Sequence, residues 1–370
     1  YFKLNSSEKI SSLHPIALYD KQSKLYDIHV KVKKNKKLDA AIGGVIASSP
    51  FSTGFFEVGY KSLESTAIRA SGNVYFGNFY NSAQGKVRWD VPFDLPFYLS
   101  SQFTINRFDY FGNGSFLIEE SNPPFIISSE RFWDLNLGLP IFNQSKLVLG
   151  ASLFWQEDEY HQSDNFLRTD TADFTKFNGY NTYIKYISNS LNRKQFATKG
   201  SRIEFKFMHI QGKETTIPGS LTKIAGVNRA RREWLEINLQ TEHYFLKKSA
   251  FHFGTNLEIN YSKLPFFQNF KSTLLRSNAF EPIIVSKTRF IEDLRANEYI
   301  GLGIKAIYSI RDYIDFRVEA NIFQPYETFR RNNDGSTGLN EAVLKRNLIG
   351  TFTTVYHSRI GPFAVSLNYF

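Results

Sequence analysis

Residues 190–210 read SLNRKQFATKGSRIEFKFMHI, and the second half of that stretch alternates without a slip. Ile203, Phe205 and Phe207 fall on one face, and Arg202, Glu204 and Lys206 on the other. A period of two marks a β-strand between two unlike environments, one apolar and one wet. The pattern returns many times along the chain, no stretch writes a clear helix, and many strands end in aromatic residues. Together these features point to an all-β transmembrane antiparallel barrel, apolar outside and polar inside.

Composition agrees with that reading. Aromatics are 16% of the 370 residues, with 36 Phe and 20 Tyr, far above what a soluble enzyme needs. The mean hydropathy of −0.32 looks soluble, but a barrel hides its hydrophobicity because every second residue faces water. No stretch approaches the roughly 18 to 20 apolar residues of a membrane-spanning helix, so a helical membrane protein is excluded. The absence of cysteine removes any disulfide framework, thiol nucleophile or cysteine metal site, and leaves the redox compartment unread. The net charge of +10 reads as a solvated lumen and solvated loops. With no basic helix or aromatic RNA-binding motif, nucleic acid is not an expected partner. The chain begins at Tyr1 without a signal peptide, although such a protein must be exported, and the expectation is a mature form or a fragment.

Taken in order, residues 13–37 read as a hairpin, with Tyr26, Ile28, Val30 and Val32 on one face of its second strand. A lone hairpin is marginal in water, so it is expected to be the tail of something larger. The run Lys31, Lys33, Lys34, Lys36 and Lys37 then sits at the membrane boundary, as a solvated charge run or in contact with lipid phosphates. Barrel strands are expected near 38–48, 53–62, 65–80, 85–93, 96–108, 130–138, 145–158, 174–190, 200–214, 230–246, 250–264, 296–310, 313–325, 342–357 and 362–370. From the third pair onward, long connections (109–129, 159–173, 215–229, 265–295, 326–341) alternate with short ones (139–144, 247–249, 311–312, 358–361). That is the rhythm of outer loops and periplasmic turns. Fifteen strands starting in the periplasm leave one edge open, and backbone groups in lipid need partners. The expectation is therefore a barrel of 16 strands, about 15 of them in this chain, with the last one missing.

Chemistry-bearing motifs are scarce. There is no nucleophile elbow, phosphate-binding glycine loop or zinc-protease helix motif. Asn332-Asn333-Asp334-Gly335 reads as a plain turn, with no catalytic role for Ser336 beside it. The histidines are scattered, with only His243 and His252 on neighbouring strands. Glu157, Asp158 and Glu159 form an acidic patch, read as solvated because three consecutive carboxylates of an extended chain cannot all face one ion. The sequence therefore offers no catalytic, cofactor-binding or metal-binding residue, and any enzymatic activity is expected from outside this chain.

Leu191-Asn192 followed by Phe196-Ala197-Thr198-Lys199-Gly200 resembles the periplasmic turn that opens a mid-barrel strand in the outer-membrane insertase superfamily. That superfamily includes barrel-assembly insertases, two-partner secretion transporters and membrane-anchored patatin-like phospholipases; it usually has Pro where this chain has Ala197. The resemblance implies a bacterial outer-membrane location, with residues 1–37 as the end of a periplasmic POTRA domain and 38–370 as the barrel. It also implies a sixth outer loop, Pro265 to Arg295, folded into the lumen. There Arg295 would stand where the family's loop arginine pairs with an acid, with Glu319 as first partner and Asp315 as second. Ala296 and Asn297 depart from the family's Gly and aromatic. The stretches SNAFEPIIVSKTRF, LRANEYIGLGIKAIY and FRVEANIFQPY look like the barrel of Bacteroidota patatin-like phospholipases. On that resemblance the chain is the anchor or translocation module of a lipid hydrolase whose catalytic domain lies upstream. The alternatives are a protein insertase or secretion pore, favoured by weak pairing around Ile42-Gly43-Gly44, and a passive porin or nutrient receptor, favoured by an empty lumen. The implied partners are the bilayer and lipopolysaccharide, a fused or associated periplasmic or surface domain, and a second copy or accessory outer-membrane subunits; no cofactor is implied.

Overall fold

The structure, a computed structural model, describes residues 10–34, 37–46, 52–63, 66–110, 125–142, 144–163, 166–167, 169–223, 226–248, 250–283, 286, 290–311, 313–341 and 345–370. Strands β1 (Ile10–Asp20) and β2 (Leu25–Lys34) form a hairpin and a two-stranded sheet of their own. Asp20 closes its turn by accepting from the backbone N–H of Gln22 and of Ser23, at 3.0 and 3.2 Å; the Ser23 side chain first, and then these N–H groups, hold its carboxyl below the usual range.

The rest is one 15-stranded antiparallel sheet. Its strands are β3 (Leu38–Val45), β4 (Thr53–Leu63), β5 (Ala67–Gly77), β6 (Tyr80–Val91), β7 (Phe97–Tyr110), β8 (Ile126–Phe142), β9 (Ser145–Tyr160), β10 (Asp173–Asn189), β11 (Gly200–Ile217), β12 (Asn228–Lys248), β13 (Phe251–Ser262), β14 (Glu298–Ile310), β15 (Ile314–Pro325), β18 (Asn347–Ser358) and β19 (Gly361–Tyr369). Each pairs with its neighbour in sequence, except that β15 skips to β18 across a small hairpin, β16 (Glu327–Arg331) with β17 (Thr337–Glu341). All fifteen expected strands are present.

Alternation decides which face meets what. Outward side chains such as Leu149, Leu153, Ile203, Phe205, Leu302, Ile304, Val318 and Ile322 are exposed, while inward Asp315, Arg317, Asn321, Thr351 and Thr353 are buried. An inverted protein of this kind is stable only when the outward apolar face meets lipid, because ordinary soluble surfaces do not expose contiguous apolar area on this scale. The wall is uneven in height. At 21 residues, β12 runs roughly 70 Å, whereas the 8 residues of β3 run about 26 Å. Since about 9 to 11 residues cross a bilayer, β8 to β12 stand well above it on the outer side. The outward charges there, an Arg131–Glu157–Lys176 ladder, belong to that raised part.

The sheet has two edge strands, β3 and β19. Along β3 every residue but Asp39 is exposed, and β19 is exposed from Pro362 onward. In the pairing of β3 with β4, Gly44 faces Gly54, so neither strand has a side chain to pack there.

Candidate functional site

Two segments fold inward, one toward each end of the lumen. The outer one is the connection from β13 to β14, residues 263–297. Its helix α1 (Phe270–Arg276) is started by Asn269, which takes the N–H of Ser272 at 2.8 Å, while the Ser272 hydroxyl receives the N–H of Asn269 at 3.2 Å. That reciprocal cap satisfies two of the donors a helix start leaves orphaned. Asn269 also donates to the Tyr160 hydroxyl on β9 at 2.9 Å, and the backbone N–H of Gln268 donates to Glu214 on β11 at 2.8 Å. Glu214 is in turn paired with Arg232 at 2.7 Å. On the far side, Phe280 stacks on Phe323 of β15, 5.6 Å between ring centres, within a cluster that includes Leu294, Tyr299 and Ile349. Gly301 lies directly under the Phe280 ring, where a Cβ would come to 2.1 Å. One loop thus touches both halves of the wall, which fixes the curl of the sheet.

The loop's last turn of helix brings Arg276 to Asp158 on the inner wall. Both side chains are almost completely buried, and Ser128 donates to the other carboxylate oxygen of Asp158 at 2.7 Å. An arginine–carboxylate pair shielded from water is the strongest single polar tie such a loop can make, because little competes with it. The sequence reading placed this arginine at position 295. Arg295 instead joins the two limbs of the loop. It donates to the carbonyls of Ser277 at 2.9 Å and Leu274 at 3.3 Å, at the C-terminal end of α1, and its guanidinium covers the Phe290 ring at 4.5 Å. A cation suits the negative end of a helix, so Arg295 is used up inside the loop and pairs with neither Glu319 nor Asp315. Asp158, read as part of a solvated patch, is the buried acid.

Glu319 and Asp315 serve the opposite end. The turn from β10 to β11, residues 190–199, folds into the periplasmic mouth. Asn192 shapes it by accepting from the N–H groups of Thr198 and Lys199 at 3.0 and 3.1 Å; Phe196 takes a φ of 53° and Gly200 one of 92°. Ala197 and Thr198 are buried. Arg193 of this turn meets Asp315 at 3.2 Å; His357 on β18 lies 2.7 Å from the same carboxylate, and Ser309 donates to it at 2.6 Å. From the wall, Arg317 donates to the carbonyl of Ala197 at 3.0 Å, to the Tyr244 hydroxyl at 3.3 Å and to Glu319 at 3.3 Å. Arg317 is only 2% exposed, so all of its donors depend on these partners. Ala197, where the resembled family has proline, is an acceptor for this arginine.

Outside the bilayer, the β16–β17 hairpin caps the loop: Thr337 bonds Thr273 at 2.8 Å, and the N–H of Phe270 reaches the carbonyl of Gly335 at 3.1 Å. Its turn is the expected one. Gly335 has a φ of 85°, and Asp334 accepts from the backbone and hydroxyl of Ser336, which holds its carboxyl below the usual range. Of the boundary lysines, Lys31, Lys33 and Lys34 lie on β2, Lys37 is exposed, and Lys36 is outside the described residues. Between the two closures lies a cavity of about 750 Å³ lined chiefly by β6 to β12.

No protein-family model matches the chain, and no curated protein matches it. Among solved structures it is similar to the crystal structure of BamA from Haemophilus ducreyi lacking POTRA domains 1–3, with a TM-score of 0.62 at 12% identity, over 100% of this chain and 73% of that one. The fold is that of an outer-membrane β-barrel. CdiB from Acinetobacter baumannii also matches, with a TM-score of 0.46 at 12% identity over 98% of this chain and 66% of that one. CdiB from Escherichia coli gives 0.46 at 9% identity over 97% and 68%.

Proposed function

We propose that this chain is a bacterial outer-membrane barrel that handles polypeptide at its edge, as an insertase or secretion pore does. The occupied lumen carries the reading: with a loop and a turn folded into its two mouths, the barrel is not an empty wide channel. A route then has to run beside β3, the short edge strand whose Gly44–Gly54 pairing is weak. Exposed edge backbone is a template for strand addition, which is how one β-protein takes hold of another extended chain. The likeness of fold to BamA supports this reading. On it, residues 1–37 end a periplasmic POTRA domain, and Lys31, Lys33, Lys34, Lys36 and Lys37 meet lipid phosphates at the inner boundary. A second reading, the anchor of a patatin-like phospholipase with its hydrolase upstream, is favoured by the stretch from Ser277 through β15.

A photocrosslinking residue at Ile42 on β3, against one at Leu149 on the lipid face of β9, tests the proposal in cells. Unfolded outer-membrane polypeptides are expected at Ile42 and not at Leu149. Equal capture at both, or none at Ile42, rejects it. In that case, a native protein tens of kDa above 42.7 kDa that hydrolyses phospholipid establishes the second reading.

A further inference from the structure

The lumen between the two closures carries a concentration of positive charge that neither closure uses. Lys86 and Arg88 on β6, Lys146 on β9, Lys185 on β10 and Lys206 on β11 all line the same cavity. Lys185 stands directly opposite Lys206 in the β10–β11 pairing, and Arg88 opposite Arg69 in the β5–β6 pairing. Like charges directly opposite one another across a ladder destabilise it, so this arrangement has to be compensated. Internal compensation is partial. Arg88 is paired with Asp90 at 2.6 Å and lies 3.8 Å over the Tyr98 ring, and Lys185 is paired with Glu204 at 2.9 Å. Among the described residues, Lys86, Lys146 and Lys206 make no ion pair. Lys146 and Lys206 rest only against the rings of Tyr98 and Tyr183, at 5.5 and 5.8 Å. Three carboxylates line the same cavity: Asp134 accepts from Ser152 at 2.7 Å and Tyr183 at 2.9 Å, Glu130 accepts from Gln156 at 3.2 Å, and Glu236 stands diagonally across from Lys206 in the β11–β12 pairing; among the described residues none of them is ion-paired with Lys86, Lys146 or Lys206.

We infer that this cavity is a binding site for a phosphoryl group of two or more negative charges, held between Lys86, Lys146 and Lys206. Ammonium groups are point charges on long stems, suited to converge on a tetrahedral polyanion rather than to fork onto a planar carboxylate. The cavity is of small-molecule size, with Leu275 and Arg276 of the loop in its lining, which fits a compact phosphate and not a threaded acidic peptide. Low-dielectric walls focus the field of the three lysines without an ion pair into the space between them. The strands that carry the cluster, β6 and β9 to β11, stand three or more places in from either edge of the sheet. The phosphoryl group can be a free phosphate or part of a lipid headgroup. This inference stands whether or not the edge handles polypeptide.

Calorimetric titration of the whole chain in detergent with inorganic pyrophosphate, at low and high salt, tests it. Binding that weakens with salt is expected, and a K86Q/K146Q/K206Q variant should lose on the order of tenfold in affinity for each strong contact removed. Should that variant not assemble, K206Q alone should show about a tenfold loss against an unchanged K305Q control, whose lysine is engaged elsewhere by Glu242. Native mass spectrometry from nanodiscs of phosphatidylethanolamine with phosphatidic acid separates the sources. A phosphatidic acid adduct carried by the wild type and absent from the variant assigns a headgroup, and pyrophosphate binding without it assigns a free phosphate. Absence of both, equal binding by the triple variant, or preference for polyglutamate over pyrophosphate overturns the inference.

Discussion

The two closures of the lumen use the same residues in opposite proportions. At the outer end, a long loop brings a helix, a ring cluster around Phe280 and one buried arginine, Arg276, to the wall. At the periplasmic end, a short turn brings little apolar surface, and the wall itself supplies the buried arginine, Arg317, which grips a backbone carbonyl. Apolar contact is insensitive to ionic strength, whereas half-exposed ion pairs are screened. The outer closure is therefore built to stay and the inner one to yield first. Arg193, 29% exposed where it meets Asp315, is the point at which salt can act.

Four substitutions break or sharpen that contrast. Arg276→Ala strands a buried Asp158 and should cost about 3–5 kcal/mol in urea unfolding and raise conductance in planar bilayers; a silent bilayer would show that the loop holds by packing alone. Arg193→Ala leaves Asp315 with Ser309 and His357, so about 1–3 kcal/mol is expected. Wild-type conductance should rise with salt concentration beyond the rise in bulk conductivity, and that excess should vanish in the Arg193 variant. Asn192→Ala removes the acceptor that shapes the turn and should cost about 1 kcal/mol, with faster proteolysis confined to residues 190–199. Arg295→Ala should cost only about 0.3–1 kcal/mol and leave conductance unchanged, because its work is done inside the loop. A conductance change as large as that of the Arg276 variant would return Arg295 to the role the sequence suggested.

The wall was legible because a strand between lipid and water must alternate, and fifteen strands did so audibly enough to place each within a few residues. The boundaries slipped where that contrast ends. β8 runs from Ile126 to Phe142 rather than 130–138, since its upper part carries the charged Arg131 outward while Ile126 and Ser128 are buried inward, so the lipid-facing contrast is lost there. Helix α1 escaped because seven residues are too few for a helical period; the Asn269 to Ser272 cap was the signal available. The partners of Arg317 and Asp315 were out of reach for a different reason. They sit 120 and 122 residues away along the chain, and alternation reports which way a side chain points but not what waits across the lumen. Position 295 drew attention by its place in a familiar motif, while Arg276 stood in a helix the sequence did not announce.

The neighbour-to-neighbour order of the sheet has a consequence for how the molecule is made. Each strand pairs with the one laid down before it, and closing even the longer loops adds little entropic cost, so the wall can grow one strand at a time. Arg276 and Asp158 lie 118 residues apart, and they meet only after the strands from β9 to β13 have been laid side by side. Their pairing, like that of Arg193 with Asp315, belongs after the rate-limiting step. Substitutions there should speed unfolding and leave the folding rate almost untouched.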